Sequence, residues 1–493
     1  MGEKKNLLDA AQHIFLIEHT KRRGGGMLKF IISLFTFITF FSTAALAQSG
    51  NGLDSGDTAW LLVSSLLVLM MTIPGLALFY GGLVKRDNIL STLMQSIAVC
   101  IVVSVIWPVL GYSLAFTEGN LFIGGFGKVM LGGLTPASLL GTIPESVFIV
   151  FQMTFAIITA ALLFGAVADR IKFVSALVFT PLWIILVYAP IAHWVWGPGG
   201  FIGGVGLEDY EGLLGFGEAL DFAGGTVVHI NSGVAGLIAA LMIGRGLKTR
   251  RDPSTPNNLI LSVIGTGLLW VGWFGFNAGS ALSAGSSAGF AMLVTNSAAA
   301  MAALTWMIIE IFDKGKISVQ GTLSGIVAGL VAITPAAGFV GFGASLAMGL
   351  IASVICYFSV KHLKEWLKYD DALDVFGLHG VGGIVGALLV GVFASPDIGG
   401  AAGLIYGNAG QVVAQLLSII VTVAYSAAVT WILLIVVRFI FGLRVDPRVE
   451  YWGLDLAHHG ETIAEYNENL PKDYLEQPVL KKARNKKSKS KKK

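Results

Sequence analysis

The sequence predicts an all-α polytopic membrane protein of about eleven transmembrane helices, built as inverted five-helix repeats (spans 1–5 and 6–10) plus a long eleventh helix. Three observations predict it. Of 493 residues, 55% are hydrophobic and only 13% charged, against about 25% charged in a water-soluble domain. Apolar runs of roughly 20 residues, each able to cross a hydrocarbon core, recur from Thr58 to Phe441. A short pattern, histidine followed by glycines four and seven positions later, occurs twice inside such runs.

From the N-terminus, residues 1–26 carry Lys4, Lys5, Lys21, Arg22 and Arg23 and fit no secretory pattern, which makes Met27 a candidate start. Residues 27–47 read as a signal peptide: Met27, Lys29, an apolar stretch and the small-residue exit Ala45-Leu46-Ala47, with cleavage expected after Ala47. A signal anchor is the competing reading. The membrane domain, 48–443, has runs near 58–80, 89–116, 146–168, 173–194, 222–244, 258–277, 287–311, 318–334, 337–360, 376–394 and 409–441. The 63 glycines suit close helix crossings. Cys100 and Cys356 lie inside apolar runs, so no disulfide framework is expected.

Lysine and arginine favour the cytoplasmic side. With the mature N-terminus outside, the inner loops hold Lys85 and Arg86, Arg170 and Lys172, Arg245, Lys248, Arg250 and Arg251, Lys314 and Lys316, and Lys361, Lys364 and Lys368. Outer loops hold only Lys128. The tail, 444–493, is therefore cytoplasmic, in a chain of the cell (inner) membrane. Its lysine-rich end reads as a solvated segment able to touch anionic headgroups.

The repeated pattern is His229, Gly233 and Gly236 in the fifth run and His379, Gly383 and Gly386 in the tenth. An odd number of spans separates the copies, so the two helices cross the membrane in opposite directions, and a two-fold axis in its plane brings both histidines toward the midplane. Buried histidine is expensive in a bilayer and marks a pathway or relay more often than mere packing. The glycines share a face and suit helix contact.

Aromatic residues cluster at the outer end. Phe151 and Phe155 are one turn apart in the third span, Trp196 ends the fourth, and Trp273, Phe276 and Ser280 close the sixth. Trp196, Phe155, Phe276 and Ser280 could form a cation-recruiting vestibule; membrane anchoring and packing are the plain alternatives. Asp221 and Asp374 are expected to cap the starts of the fifth and tenth helices, Asp221 additionally shaping the outer site. Glu310 and Asp313 are expected at the inner interface beside Lys314.

With these residues assembled, the chain resembles the Amt/Mep/Rh family of ammonium transporters, on its Amt branch. The resemblance runs from about Leu53 to Glu461, through LFYGGLV at 78–84, PIAHWVWG at 190–197, DFAGGTVVHIN at 221–231, GWFGFNAGS at 272–280 and DVFGLHGVGGIVG at 374–386. It implies nitrogen uptake by homotrimers, each protomer with its own path for ammonium or ammonia. His229 and His379 would be the pore's twin histidines, Phe155 and Phe276 its stacked outer gate, Trp196 and Ser280 its outer cation site, with Asp221 in support. GLDLAHHGE at 453–461 is similar to the family's regulatory tail motif, which singles out Gly453, Asp455, His459, Gly460 and Glu461 and implies a PII-type partner.

Ammonium and potassium match in size and charge, so a pore must use the donors and the removable proton of ammonium to tell them apart. The expectation is therefore recruitment, deprotonation at or before the histidines, and passage of ammonia, with the proton returning or relayed by imidazole. The main rival is a sensor acting through its tail; a metal-binding membrane enzyme and a channel for another neutral solute are the others. No cofactor, metal, enzymatic activity or nucleic-acid partner is expected.

Overall fold

Apolar run length sets the helix lengths. The computed structural model describes residues 52–207, 211–247 and 256–463. The expected signal segment, the residues before it, Lys248, Arg250, Arg251 and the lysine-rich end lie outside that range. Among the described residues, 10 helices are long and apolar enough to cross a membrane. In chain order the helices are α1 Ser55–Leu83, α2 Arg86–Phe116, α3 Glu145–Val167, α4 Phe173–Trp196, α5 Gly225–Ile243, α6 Leu259–Gly279 and α7 Ser286–Lys314. The shorter α8, Val319–Ile333, follows, then α9 Phe342–Trp366, α10 Phe376–Phe393 and α11 Gly410–Phe441.

The run expected at 318–334 is α8, and it falls short of a full span. Its 15 residues rise only about 22 Å, against a core of about 30 Å. Length matching matters least here, because every residue from Gly325 to Ile333 is buried, with α7 and α9 as the main neighbours. The Ser318 hydroxyl caps α8 by accepting from the Gly321 amide at 3.0 Å. Glu310 in turn accepts from the Ser318 amide at 2.7 Å and pairs with Lys314 at 2.9 Å. Glu310 closes α7 beside Lys314 and is fully buried, tying the α7–α8 turn.

Other irregularities have local causes. Within α1, Ile73 leaves helical geometry (φ −129°, ψ 108°) ahead of Pro74, as the residue before a proline tends to. Between α2 and α3 the chain forms two small antiparallel ladders, Gly119–Asn120 with Ile123–Gly124 and Leu139–Leu140 with Ile143–Pro144.

After α11 the tail turns back as α12 Pro447–Trp452 and α13 Leu454–His459, with a bridge between Ile171 and Arg444. This end of the bundle is the tail side, and the opposite end is the Trp196 side. Arg170, counted among the inner basic residues, is fully buried on the tail side. Its guanidinium pairs with Asp169 at 2.7 Å and donates to the carbonyls of Gly244 (3.0 Å) and Asp370. The ends of α3 and α5 and the approach to α10 therefore share one cation.

Candidate functional site

Both histidine helices start in the same way. Gly225–Ile230 and Phe376–Gly380 are wide π-helical turns, and each carries its histidine in the second half of that turn. Ahead of the first, the Asp221 carboxylate accepts from the amides of Gly224 (2.7 Å), Gly225 (2.7 Å), Thr226 (2.8 Å) and Val227 (3.2 Å). These are the donors that a helix start leaves unpaired. Burial pushes this carboxyl up, and the four amides oppose the push.

The corresponding residue before α10 is Asp371, not Asp374. Asp371 accepts from the Phe376 amide at 2.7 Å, with the Val375 amide also bonded to it. Burial first, then the charge of Asp374, pushes the Asp371 carboxyl up to about 6, against Lys364 and the two amides. Asp374 has φ 59° and forms an ion pair with Lys364. With that backbone Asp374 turns its carboxylate to Lys364. The signal for Asp371 was present: aspartate precedes histidine by eight positions in both copies, 221 to 229 and 371 to 379.

The glycines explain how the helices meet. A Cβ on Gly233 would overlap the backbone of Gly380, and one on Gly383 would sit 3.0 Å from the Gly225 carbonyl and the Ile230 amide. Contacts that run 225 to 383 and 233 to 380 descend in one chain as they climb in the other, so the segments cross antiparallel. At the crossing, His229 Nδ1 and His379 Nδ1 are 3.2 Å apart, with ring centroids at 5.3 Å and planes at 25°. Both rings are buried. One Nδ1 must donate and the other accept, so the pair fixes its two tautomers jointly. His229 Nε2 has no partner.

On the Trp196 side of this pair the aromatic residues form a stack. The Trp273 ring lies parallel to His229 at 5.5 Å, its indole N–H donating to Thr334 Oγ1 at 2.9 Å. Phe276 and Phe155 stack face to face at 4.1 Å and 15°, and Phe151 meets Phe155 edge-on at 4.9 Å. Trp196 stands perpendicular to Phe155 at 6.0 Å, and its indole N–H donates to the Asp221 carbonyl at 2.8 Å. The Ser280 hydroxyl donates to the Phe276 carbonyl at 2.8 Å, leaving its lone pairs free. Phe276, Trp273, His229 and His379 share the lining of a cavity with room for about one water-sized molecule. Its lining is aliphatic and aromatic apart from His229 and His379.

The tail residues gather elsewhere. Asp455 accepts from the amides of Leu90 (3.0 Å) and Ser91 (2.7 Å), and Asn88 accepts from the Leu454 amide at 2.9 Å. Gly453 (φ 108°) lies where a Cβ would run into Asp87, and Gly460 (φ 70°) closes α13. His459 meets Phe173 edge-on at 5.0 Å, while Glu461 is exposed. Two tail residues were missed from sequence: Arg444, which donates to the carbonyls of Ile243 and Arg245, and Glu450, which pairs with Arg444 and accepts from the Leu247 amide. Together with the Gly246 amide bonded to Asp370, they tie the end of α5 to both the tail and the segment before α10.

The profile of the Ammonium Transporter Family matches residues 59–464. The chain is 49% identical over 442 residues to an ammonium transporter of Aquifex aeolicus, covering 89% of this chain and 99% of the relative. It is 46% identical over 415 residues to an ammonium transporter of Bacillus subtilis, covering 83% and 98%. Among solved structures, Candida albicans Mep2 superposes with a TM-score of 0.71 at 35% identity, over 80% of this chain and 87% of the other. A structure described as a sensor Amt protein superposes with a TM-score of 0.73 at 27% identity, over 82% and 98%.

Proposed function

The chain belongs to the ammonium transporter family as a multi-pass membrane protein, and we propose that it recruits ammonium beside Trp196, removes a proton and passes ammonia between His229 and His379. The observation that carries this reading is the imidazole pair in an otherwise apolar cavity whose lining includes Phe276, the ring stacked on Phe155.

Recruitment follows from a half-buried indole face and the free lone pairs of Ser280, which attract a cation bearing N–H donors. Phe151 and Trp273 brace the rings that do this. Asp221 supports the site through its four amides and through the carbonyl that holds the Trp196 indole; with both carboxylate oxygens occupied, it has no role as a direct ligand. Past the phenylalanines, an ion would shed its water into aliphatic surroundings, a step costing several kcal/mol or more. Ammonia escapes that penalty. The jointly fixed tautomers leave one Nε2 a donor and the other an acceptor, and ammonia can satisfy either. Potassium has neither a proton for the acceptor nor a lone pair for the donor.

In this reading the Trp196 side faces outward and the tail side the cytoplasm of a cell membrane, with the basic residues inside. The working unit is a homotrimer. The tail, docked on α2 through Asp455 and on the end of α5 through Glu450, is the surface for a PII-type partner. A sensor function served by the same docked tail is the second reading.

Purified protein in liposomes tests the proposal, with ammonium and then potassium applied while current and internal pH are recorded. Wild type is expected to pass ammonium and exclude potassium, and His229→Ala with His379→Ala is expected to lose that discrimination. Ammonium flux and selectivity unchanged in the double variant would reject the mechanism. The current also decides whether the proton returns or follows the imidazoles.

A further inference from the structure

His193 lies one turn before Trp196 on α4 and is fully buried. Its Nδ1 is 3.0 Å from the carbonyl oxygen of Ala115, near the end of α2, and its Nε2 is 2.8 Å from the carbonyl oxygen of Asn120 in the first small ladder. A carbonyl oxygen only accepts, and a neutral imidazole has one N–H to give. A neutral ring here would press a lone pair against a carbonyl lone pair. An imidazolium donates to both, and such charge-assisted bonds offset much of the penalty for burying the charge.

No carboxylate is needed to explain the ring. On the elements packed around it, Glu118 is exposed, Glu145 is held by Lys128 and Tyr112, and Asp221 is bound by four amides. The same turn of α4 makes a third donation to this segment, from the Trp194 indole to the Phe122 carbonyl at 2.6 Å. The turn that follows Trp196 packs on the ring as well: the Gly197 amide donates to the His193 carbonyl at 3.0 Å, and a Cβ on Gly197 would lie 2.5 Å from His193 Nδ1.

We propose that His193 is an imidazolium that positions Trp196 by clamping this turn of α4 to the segment 115–122, so that cation recruitment weakens when the medium on the Trp196 side removes its second proton. The proposal rests on Trp196 being the recruiting residue. His193 acts through Trp196 and touches no substrate.

Protein carrying ¹⁵N-histidine, reconstituted in bilayers, reports the protonation of each ring nitrogen by solid-state NMR, with the His193 signals assigned by their loss in His193→Gln. Two protonated nitrogens are expected at neutral pH. In a pH series, the KM for ammonium in liposomes is expected to rise at the pH where the second proton leaves. In His193→Gln, KM is expected to rise roughly tenfold with maximal flux changed less than about twofold, as displacement of a docking group predicts. A single protonated nitrogen at neutral pH overturns the proposal, as does a KM that stays flat through loss of the second proton. A Trp196→Leu variant with wild-type KM overturns the recruitment reading beneath it, whereas a neutral His193 beside a Trp196-dependent KM overturns this proposal alone.

Discussion

Asp221 and Asp371 occupy the same position in the two copies of the repeat, yet their surroundings differ. Asp221 binds four amides and works beside rings, with the Trp196 indole fixed to its own carbonyl. Asp371 binds two amides and works beside charges: Asp374, Lys364 and, one residue upstream, the Asp370 that holds the α5 end. The shared cap places both histidines, which requires symmetry. What surrounds each cap serves one face only, which does not. The Trp196 side gathers aromatic rings around its cap, and the tail side ties the two histidine helices to the chain end.

The comparison can be broken most forcefully at Asp221. Asp221→Ala orphans four buried amides and loosens the turn whose backbone carbonyl holds the Trp196 indole, so uptake is expected to fall on the order of 100-fold; near-normal flux would show that the cap and the recruiting site are independent.

Asp371 sharpens the contrast through pH. Its carboxyl, near 3.8 unfolded, is pushed up to about 6 when folded, so the folded state binds the extra proton between those values. Stability contributed by this group is present below about pH 4 and is lost as pH rises toward about 6, by roughly 3 kcal/mol at most. In detergent, melting temperature should fall over that interval, and Asp371→Asn should flatten the fall. Equal slopes in both proteins would place the proton elsewhere.

The glycines test how far the symmetry extends. Gly233→Ala meets backbone at Gly380 inside contact distance, whereas Gly383→Ala meets Gly225 and Ile230 at 3.0 Å. Overpacking of this kind costs about 1–3 kcal/mol, with Gly233→Ala expected at the upper end and Gly383→Ala at the lower by thermal unfolding.

The smallest effect belongs to the tail. Asp455→Ala removes two amide bonds at the start of α2, a cap worth about 1 kcal/mol, and should expose 447–459 to limited proteolysis while ammonium flux in liposomes stays near normal. The tail side would then prove separable from the conducting side.

Much of this architecture was legible. Among the described residues the apolar runs located the 10 helices long enough to span, since a bilayer demands about 20 residues of unbroken apolar helix whatever the fold around it. The histidines stand out as expensive groups in such helices, and the opposite crossing directions of those helices bring them toward one another. Asp371 was overlooked because capping was sought beside the helix start; the π-turn widens that start, and only the eight-residue interval shared with Asp221 would have revealed the substitute. Arg170 and Glu310 read as boundary charges, since a one-dimensional pattern shows that a charge lies near a membrane edge but not that a neighbouring turn needs it as a buried partner.

The sequence by itself determined that the chain spans a membrane, where its apolar helices lie and that two histidines share one environment, because hydrophobic length and residue spacing are properties of the chain alone. Only the tertiary structure decided which nitrogens face each other, that Phe155 and Phe276 stack, that α8 is a buried short helix, and which aspartate caps α10. Those depend on close approach between segments up to about 150 positions apart, and hydrogen bonds and ring contacts change steeply over fractions of an ångström, a precision set by packing and not by pattern.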